Sequence, residues 1–521
     1  MSEEIKTQQE YFPENPWLAV APVLLAVFIF VLDGTIANVA LPHMAGSFSA
    51  TRDESIWILT SYLIASGIVI PTVDWFSKVF GRKNFFIISI LLFTVASLLC
   101  GLANSMTTMV LARVLQGFGG GGIVPISQAI MLESFPKEQR AKAMAVFGMG
   151  IIIAPIIGPV LGGWITDNWT WPWIYFINVP FGCIAAVMCQ KLLVDPPYAK
   201  RQKNVKIDGW GFLFLAVWVA SLQVVLDKGN NADWFNAPWV CWLFALSCIS
   251  GIAFFISQIK GKETLIDLSV FKDMNFLAGT AIQIVIQAVL YASIAILPQF
   301  LQSMMGYTAF LSGYSMMPRG IGSLLSMIIV ANLGNKVSYR LLAIIGLTLI
   351  GSGGLVLGFL NLQIANINIM IPNFMMGMGM GLAMIPIINL SVDTLRNDQM
   401  TNASGIQNLL KTIGGAIGTS LVATMLSRFA QMHQYMMVGN LSELNPQFLT
   451  RLQNTAGALS QYFNPDVAYY MAQTSLYKQL IQQSTLWAFM DSFRIFGLAC
   501  LLTIPLLLFI RSNRKKTITQ K

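Results

Sequence analysis

The chain has 521 residues, 55% hydrophobic and only 11% charged, with a mean hydropathy of +0.65 and a formal net charge of +9. Ordinary soluble domains carry roughly 25% charged residues, so a soluble fold of this size would expose more apolar surface than water tolerates. The composition excludes a soluble enzyme, a disordered chain and a secreted disulfide scaffold, and leaves an integral membrane protein.

A hydrocarbon core about 30 Å thick needs about 20 apolar helical residues to cross. In chain order, the apolar stretches near 17–41, 54–76, 84–103, 106–132, 141–166, 171–194 and 209–226 predict the first seven spans. Those near 236–258, 274–302, 310–333, 339–360, 366–391, 403–426 and 486–511 predict seven more, giving an all-α membrane protein of fourteen transmembrane helices. The first stretch follows a polar segment, 1–16, and has no cleavage-site pattern, so a retained span is expected there rather than a signal peptide.

An even number of spans puts both termini on one side. Assigning them to the cytoplasm places 23 of the 32 Lys and Arg in cytoplasmic segments, among them Lys78, Arg82, Lys83, the set from Lys191 to Lys206 and the tail 512–521 with Arg511 before it. The external segments hold five, Arg52, Lys228, Arg428, Arg451 and Lys478. This asymmetry follows the positive-inside rule, and it accounts for the net charge without nucleic acid. The six cysteines fall in apolar stretches without CxxC or metal spacing and read as small hydrophobes. Neither histidine, His43 nor His433, sits inside an apolar run, so a proton relay is expected to use carboxylates.

The external segment 427–485 is long, polar and rich in Gln, Asn and Tyr. Asn464-Pro465-Asp466 has the pattern of a helix cap with proline in the first turn. Val467, Tyr470, Met471, Tyr477, Leu480 and Ile481 then recur at helical spacing, predicting an amphipathic helix. The segment reads either as a lid on the protein's own outer surface or as a docking surface for an external partner.

An Asp, Lys or Arg at the bilayer centre costs about 2.5–3.5 kcal/mol on insertion scales, so such residues face a cavity or one another. At about 1.5 Å per residue, Asp33 lies about 12 Å below the outer end of the first span and Arg113 about 10 Å below that of the fourth. Two opposite-running helices thus bring a carboxylate and a guanidinium to one depth. They form either a proton-loading site or a plain buried ion pair. Arg319 lies about 13 Å down the tenth span, Arg494 about 12 Å down the fourteenth and Lys411 about 12 Å from the inner face, with Asp491 one turn from Arg494 as a second ion pair near the outer side. Asp74, at the inner rim of the second span, is expected to face cytoplasmic water.

Gly117 to Gly122 matches GxGxxG, but no strand precedes it and it lies within a span, so it reads as a smooth face for close helix contact. The same holds for Gly158-Pro159-Val160-Leu161-Gly162-Gly163 and Gly414-Gly415-Ala416-Ile417-Gly418. Gly261-Lys262 is followed by Glu263, not Ser or Thr, and no ATP-binding loop occurs elsewhere. No catalytic or metal motif is present. Gln116, Gln287, Tyr291 and Gln407 are further candidates for lining a central cavity. Methionines grouped at Met316-Met317, Met375-Met376 and Met378-Met380 supply either adaptable surface or ordinary packing.

The segment from Leu32 through Asp33-Gly34-Thr35 to Leu41-Pro42 resembles the first-helix motif of the fourteen-span drug:proton antiporters of the major facilitator superfamily. Arg113-Val114-Leu115-Gln116-Gly117 resembles that superfamily's fourth-helix motif, whose Arg is associated with proton transfer. The stretch from Gly158 and Pro159 to Gly162 and Gly163 resembles the fifth-helix antiporter motif. Trp173 to Pro180, and Ser221 through Asp227-Lys228-Gly229 to Phe235, are similar to EmrB-like pumps. The loop between the second and third spans departs from the usual pattern: Gly81, Arg82 and Lys83 remain, but Lys78 stands in place of Asp and Asp74 in place of Gly. An ion pair of Asp74 with Lys78, at i to i+4, would restore the lost charge. Lys411 stands where this subfamily often has Arg.

The resemblance implies two six-helix bundles, at 17–194 and 274–511, each of inverted repeats. The region 195–273 between them carries two extra helices, and the substrate cavity lies at the bundle interface. It implies a proton-driven exporter of hydrophobic drugs in a bacterial inner membrane, with Asp33 and Arg113 in proton coupling and no cofactor. A periplasmic adaptor (EmrA-like) and an outer-membrane channel are the implied partners. The alternatives are a dedicated proton-coupled exporter of one metabolite, such as a fatty acid or siderophore, and a passive channel or scaffold.

Overall fold

The computed structural model describes residues 15–510 apart from 56, 137–138, 196–200, 202–207, 262–263, 308, 334–336, 397–398 and 443. Nearly all of the segment 1–16, the basic tail 512–521 and most of the basic set between Lys191 and Lys206 lie outside the described residues.

The chain is a succession of helices. The first eight are α1 (Pro16–Ser47), α2 (Trp57–Phe80), α3 (Arg82–Gly101), α4 (Met106–Glu133), α5 (Arg140–Asn168), α6 (Trp173–Leu192), α7 (Gly209–Lys228) and α8 (Pro238–Lys260). They are followed by α9 (Met274–Ser303), α10 (Ala309–Leu333), α11 (Tyr339–Leu357), α12 (Ile367–Val392), α13 (Met400–Val438), α14 (Pro446–Leu459) and α15 (Pro465–Leu501). Among the described residues thirteen helices are long and apolar enough to cross a membrane. The fifth expected span lies on α5, a helix of 29 residues of which several side chains are outside the described set. The protein is an all-α, multi-span integral membrane protein.

Helix starts follow local chemistry. Asn15 accepts a bond from the Leu18 amide ahead of Pro16, and Ser105 forms a reciprocal capping box with Thr108. Asp273 caps α9 through the amides of Asn275 and Phe276. Each cap satisfies amides that a first helical turn leaves without partners, a need made acute where lipid replaces water.

The pattern of neighbours repeats along the chain. Helix α1 packs against α4, α5 and α6, while α2 and α3 both pack on α4 and α3 meets α6. In the later part, α9 packs against α12, α13 and α15, while α10 and α11 both pack on α12 and α11 meets α15. Glycines set the closest of these approaches. A Cβ at Gly162 of α5 would fall 2.7 Å from the Ile36 side chain of α1, and one at Gly158 would collide with Thr35. The same occurs between α13 and α9, where a Cβ at Gly414 would lie 2.7 Å from the Ile284 carbonyl. These are the smooth faces expected from the glycine spacing. A Cβ at Gly163 would touch nothing within 4 Å, so that residue adds no such contact.

Helices α7 and α8 pair with each other, α7 also touching α2 and α13. They expose Trp210, Trp242, Ile249 and Ile259, an apolar surface suited to lipid.

The segment 427–485 differs from its expected form. Helix α13 runs on to Val438, and the predicted amphipathic helix is the first part of α15, continuous with the last span. Asn464 occupies the cap position, with Pro465 first in the helix, but its side chain makes no capping bond. The buried stripe is Ala468, Ala472, Leu476 and Leu480, because small side chains let α14 approach and seat Leu452 against Ala472 and Leu476. Of the residues expected to share the buried face only Leu480 is buried; Val467, Tyr470, Met471, Tyr477 and Ile481 are exposed.

Candidate functional site

Five helices converge on one carboxylate. Asp33 of α1 is fully buried, and its Oδ2 accepts a bond from Arg113 Nη1 of α4 at 2.8 Å. Its Oδ1 accepts from Gln116 Nε2 of α4 at 2.9 Å and from Asn178 Nδ2 of α6 at 2.7 Å. Arg113 is held in turn: Nε donates to the Ile58 carbonyl of α2 at 2.9 Å, and Nη1 donates to Gln116 Oε1 at 2.6 Å. Ser97 of α3 accepts from Gln116 at 2.7 Å. The guanidinium carbon lies 4.2 Å from the centre of the Tyr62 ring and 5.7 Å from that of Tyr175. Cation–π attraction of this kind reaches about 2 kcal/mol where water is excluded.

This arrangement couples charge to structure. Breaking a buried ion pair by removing one partner costs about 3–5 kcal/mol, because the other charge stays uncompensated. A proton on Asp33 would have that effect on Arg113, unless the helices around it rearrange. The spacing along α1 and α4 indicated that Asp33 and Arg113 share a depth, and the structure puts them in contact. Gln116 belongs to the same buried cluster. Asn178 and Tyr175 lie in the Trp173–Pro180 motif without a site role having been assigned to them, and Ser97 and Tyr62 carry no sequence signal beyond a polar group in an apolar stretch.

The later helices carry different groups. Arg319 of α10 is only 8% exposed, and its partners are Ser293 Oγ at 2.7 Å and the Met376 sulfur at 3.4 Å. Lys411 of α13 is half-buried and has no hydrogen-bond or ion-pair partner among the described residues. Tyr291 of α9 is exposed, against Gly415 of α13, with Gln287 half-buried one turn away. Gln283, a further turn along α9, is fully buried with neither amide atom bonded, and the sequence had not singled it out.

Contacts between the first six helices and the later ones include those of α13 with α4 and with the later part of α2, at the end where α1 begins. Gln128 Nε2 of α4 donates to Gln407 Oε1 of α13 at 3.3 Å, and Asn408 Nδ2 donates to Gln128 Oε1 at 3.0 Å. Gln407 Nε2 also donates to Ser391 of α12 at 2.7 Å. Gln407 is therefore fully buried in a latch between helices, where a cavity lining had been expected.

At the same end, Asp74 and Lys78 form the i to i+4 ion pair at 2.6 Å. Asp74 is 5% exposed, so it does not face water as expected; α13 packs against the turn at Ile70–Thr72 and the helical segment Val73–Phe80 that carries it. Arg82 pairs with Glu133 at 2.6 Å, both nearly buried. Glu133 escaped notice, although a carboxylate at a helix C-terminus opposes the helix dipole and calls for a cation. The Lys83 amide donates to Asp195 at 2.9 Å, and burial raises the Asp195 carboxyl above the ordinary carboxylate range. Gly81 links α2 to α3 with a φ of 82°, which accounts for its place in the loop.

Toward the other end, Arg494 Nη1 donates to Asp491 at 3.1 Å, the pair expected from the sequence. His433 of α13 joins it, Nε2 lying 2.8 Å from Asp491 Oδ2, so α13 and α15 are tied together there. Among the described residues no group of three or more His, Cys, Asp or Glu could hold a metal ion.

The chain is thus a multi-span all-α protein with a buried, cation-paired carboxylate among its first six helices. The profile of the Major Facilitator Superfamily matches residues 23–419, and the chain belongs to that superfamily of secondary active transporters. It is 32% identical over 500 residues to the probable multidrug resistance protein EmrY of Escherichia coli, covering 95% of each chain. It is 33% identical to the multidrug export protein EmrB of Haemophilus influenzae, over 81% of this chain and 82% of that protein. The fatty acid resistance protein FarB of Neisseria gonorrhoeae is 32% identical, over 84% and 85% respectively. In fold it is similar to the human organic anion transporter MFSD10, with a TM-score of 0.61, 13% identity and coverage of 95% and 99%. The proton:xylose symporter XylE aligns with a TM-score of 0.57 at 13% identity, over 93% and 94%.

Proposed function

We propose that the protein is a proton-coupled antiporter that exports hydrophobic, toxic compounds across a bacterial inner membrane. The observation that carries this reading is the Asp33 cluster: one buried carboxylate whose neutralisation would leave a buried guanidinium uncompensated. Proton binding at Asp33 releases Arg113, Gln116 and Asn178 from it. That biases the packing of α1 against α4 and α6, and with it the closure held by Gln128, Gln407 and Asn408. Deprotonation on the other side restores the pair.

In this reading the fourteen spans form two six-helix bundles, 17–194 and 274–511, each of inverted repeats, with α7 and α8 alongside them. The repeated pattern of helix neighbours supports it. The termini are cytoplasmic, as the basic residues suggest. The end where α1 begins is then the cytoplasmic face, and the latch closes it. The glycine contacts at Gly158 and Gly162 let α5 slide on α1, and the ion pairs of Asp74 with Lys78 and Arg82 with Glu133 brace the cytoplasmic loop. The exposed Val467, Tyr470, Met471, Tyr477 and Ile481 favour a docking surface over a lid. An EmrA-like adaptor leading to an outer-membrane channel is the partner proposed for it, in keeping with the EmrB and EmrY relatives.

The test is uptake of a dye substrate into proteoliposomes under an imposed pH gradient. Wild-type protein should accumulate the substrate and move protons in the opposite direction, and Asp33→Asn should do neither while remaining folded. Uptake by the mutant at the wild-type rate would overturn the proposal.

A further inference from the structure

In the helices from α9 to α15 the carboxylates are Asp466, in the first turn of α15, and Asp491, which is taken by His433 and Arg494. Arg319 therefore sits among apolar side chains without an acid. Its Nη2 donates to Ser293, but Nε and Nη1 are buried with no hydrogen-bond partner. Pro318, immediately before it, removes one backbone bond of α10 at this point. An unpaired buried charge is expensive, and membrane helices keep one mainly where it meets a ligand or a pathway.

The guanidinium lines a small cavity of about 10 Å³, with Ile286, Val289, Leu290, Ile350, Met376 and Met380 as the remaining lining. That volume suits no more than about one water. Two of the lining residues are methionines, unbranched and with three rotatable bonds, which can swing aside at little cost. The site thus combines one fixed cation, whose free N–H groups match a carboxylate, with an apolar surround able to open around a chain.

We infer that Arg319 is the recognition point for an organic anion: it binds the carboxylate of a hydrophobic monocarboxylate whose tail lies among Ile286, Val289, Met376 and Met380. The inference rests on the proposed export of hydrophobic compounds and assigns their charge. Proton exchange and substrate recognition are then divided, the first at Asp33 among α1 to α6 and the second at Arg319 among α9 to α12.

The experiment measures laurate and dodecanol binding to the full-length protein in nanodiscs, by tryptophan fluorescence at a pH where laurate is ionised. Wild type should bind laurate at least tenfold more tightly than dodecanol. Arg319→Gln should remove that preference, Arg319→Lys should keep part of it, and Met380→Trp should weaken laurate by filling the cavity with the cation intact. Equal binding of the two ligands by wild type, or an undiminished preference in Arg319→Gln, overturns the inference. If Arg319→Gln fails to fold, Met380→Trp decides: unchanged laurate affinity in that variant overturns the site. Binding is read without a proton gradient. A protein that binds laurate through Arg319 yet shows no gradient-driven uptake would overturn the proposed function and leave the site standing, and the reverse result removes the site alone.

Discussion

The two parts of the molecule share a pattern of helix neighbours but treat buried charge in opposite ways. Among α1 to α6, Arg113 meets Asp33 and every oxygen of that carboxylate has a donor. Among α9 to α13, Arg319 and Lys411 have no acid beside them. A paired charge can be switched by a proton, whereas a lone cation can only be answered by something that arrives. One scaffold thus supports two chemistries, and the placement of a single acid separates them.

That contrast can be broken by substitution. The largest effect expected is on coupling: Asp33→Asn should abolish substrate-driven proton movement in proteoliposomes. Next, Arg113→Leu strands the Asp33 carboxylate and should destabilise the protein by about 3–5 kcal/mol, seen as a large fall in Tm. Adding Asp33→Leu should recover much of that loss, since neither charge is then buried alone. Arg319→Met should do the opposite of Arg113→Leu. It removes an uncompensated charge among apolar neighbours, so Tm should hold or rise while laurate binding is lost. A comparable fall in Tm for both arginines would erase the distinction between the two regions.

A smaller effect is expected at the latch. Gln128→Ala removes two hydrogen bonds between α4 and α13, each worth about 0.5–1.5 kcal/mol. Spin labels at Phe80→Cys and Leu333→Cys, in a background without exposed cysteines, should show a larger population with that end open. An unchanged distance distribution would remove the latch from the account. The smallest effect belongs to Asp195. Its carboxyl is raised by burial, so its contribution to stability is full below the unfolded value near pH 4 and falls as pH rises through the folded one. Asp195→Asn should therefore flatten the acid side of the stability curve without lowering neutral-pH stability by more than about 0.5 kcal/mol.

The spans were legible because lipid permits so little else: an apolar run of sufficient length in a chain this poor in charge is a helix. Depth was legible for the same reason, since a fixed rise per residue puts Asp33 and Arg113 at one level. What periodicity could not supply was partnership across helices. Asn178 donates to Asp33 from 145 residues away, and Glu133 meets Arg82 from the far end of α4. Gln407 has the same polarity whether it lines a cavity or closes a latch, and only the position of Gln128 decides. The buried stripe on α15 is not legible in sequence because Ala468 and Ala472 carry little hydrophobic weight, yet their small size admits α14. His433 lies outside any apolar run in the sequence, yet α13 extends far enough to carry it to Asp491.

The most direct test of the central claim is the stoichiometry of exchange in proteoliposomes, with substrate flux and proton flux recorded together for wild type and Asp33→Asn. The account predicts opposed, proportional fluxes in the wild type and the loss of both under a pH gradient in the mutant. Proton-coupled substrate movement that survives the loss of Asp33 would contradict it.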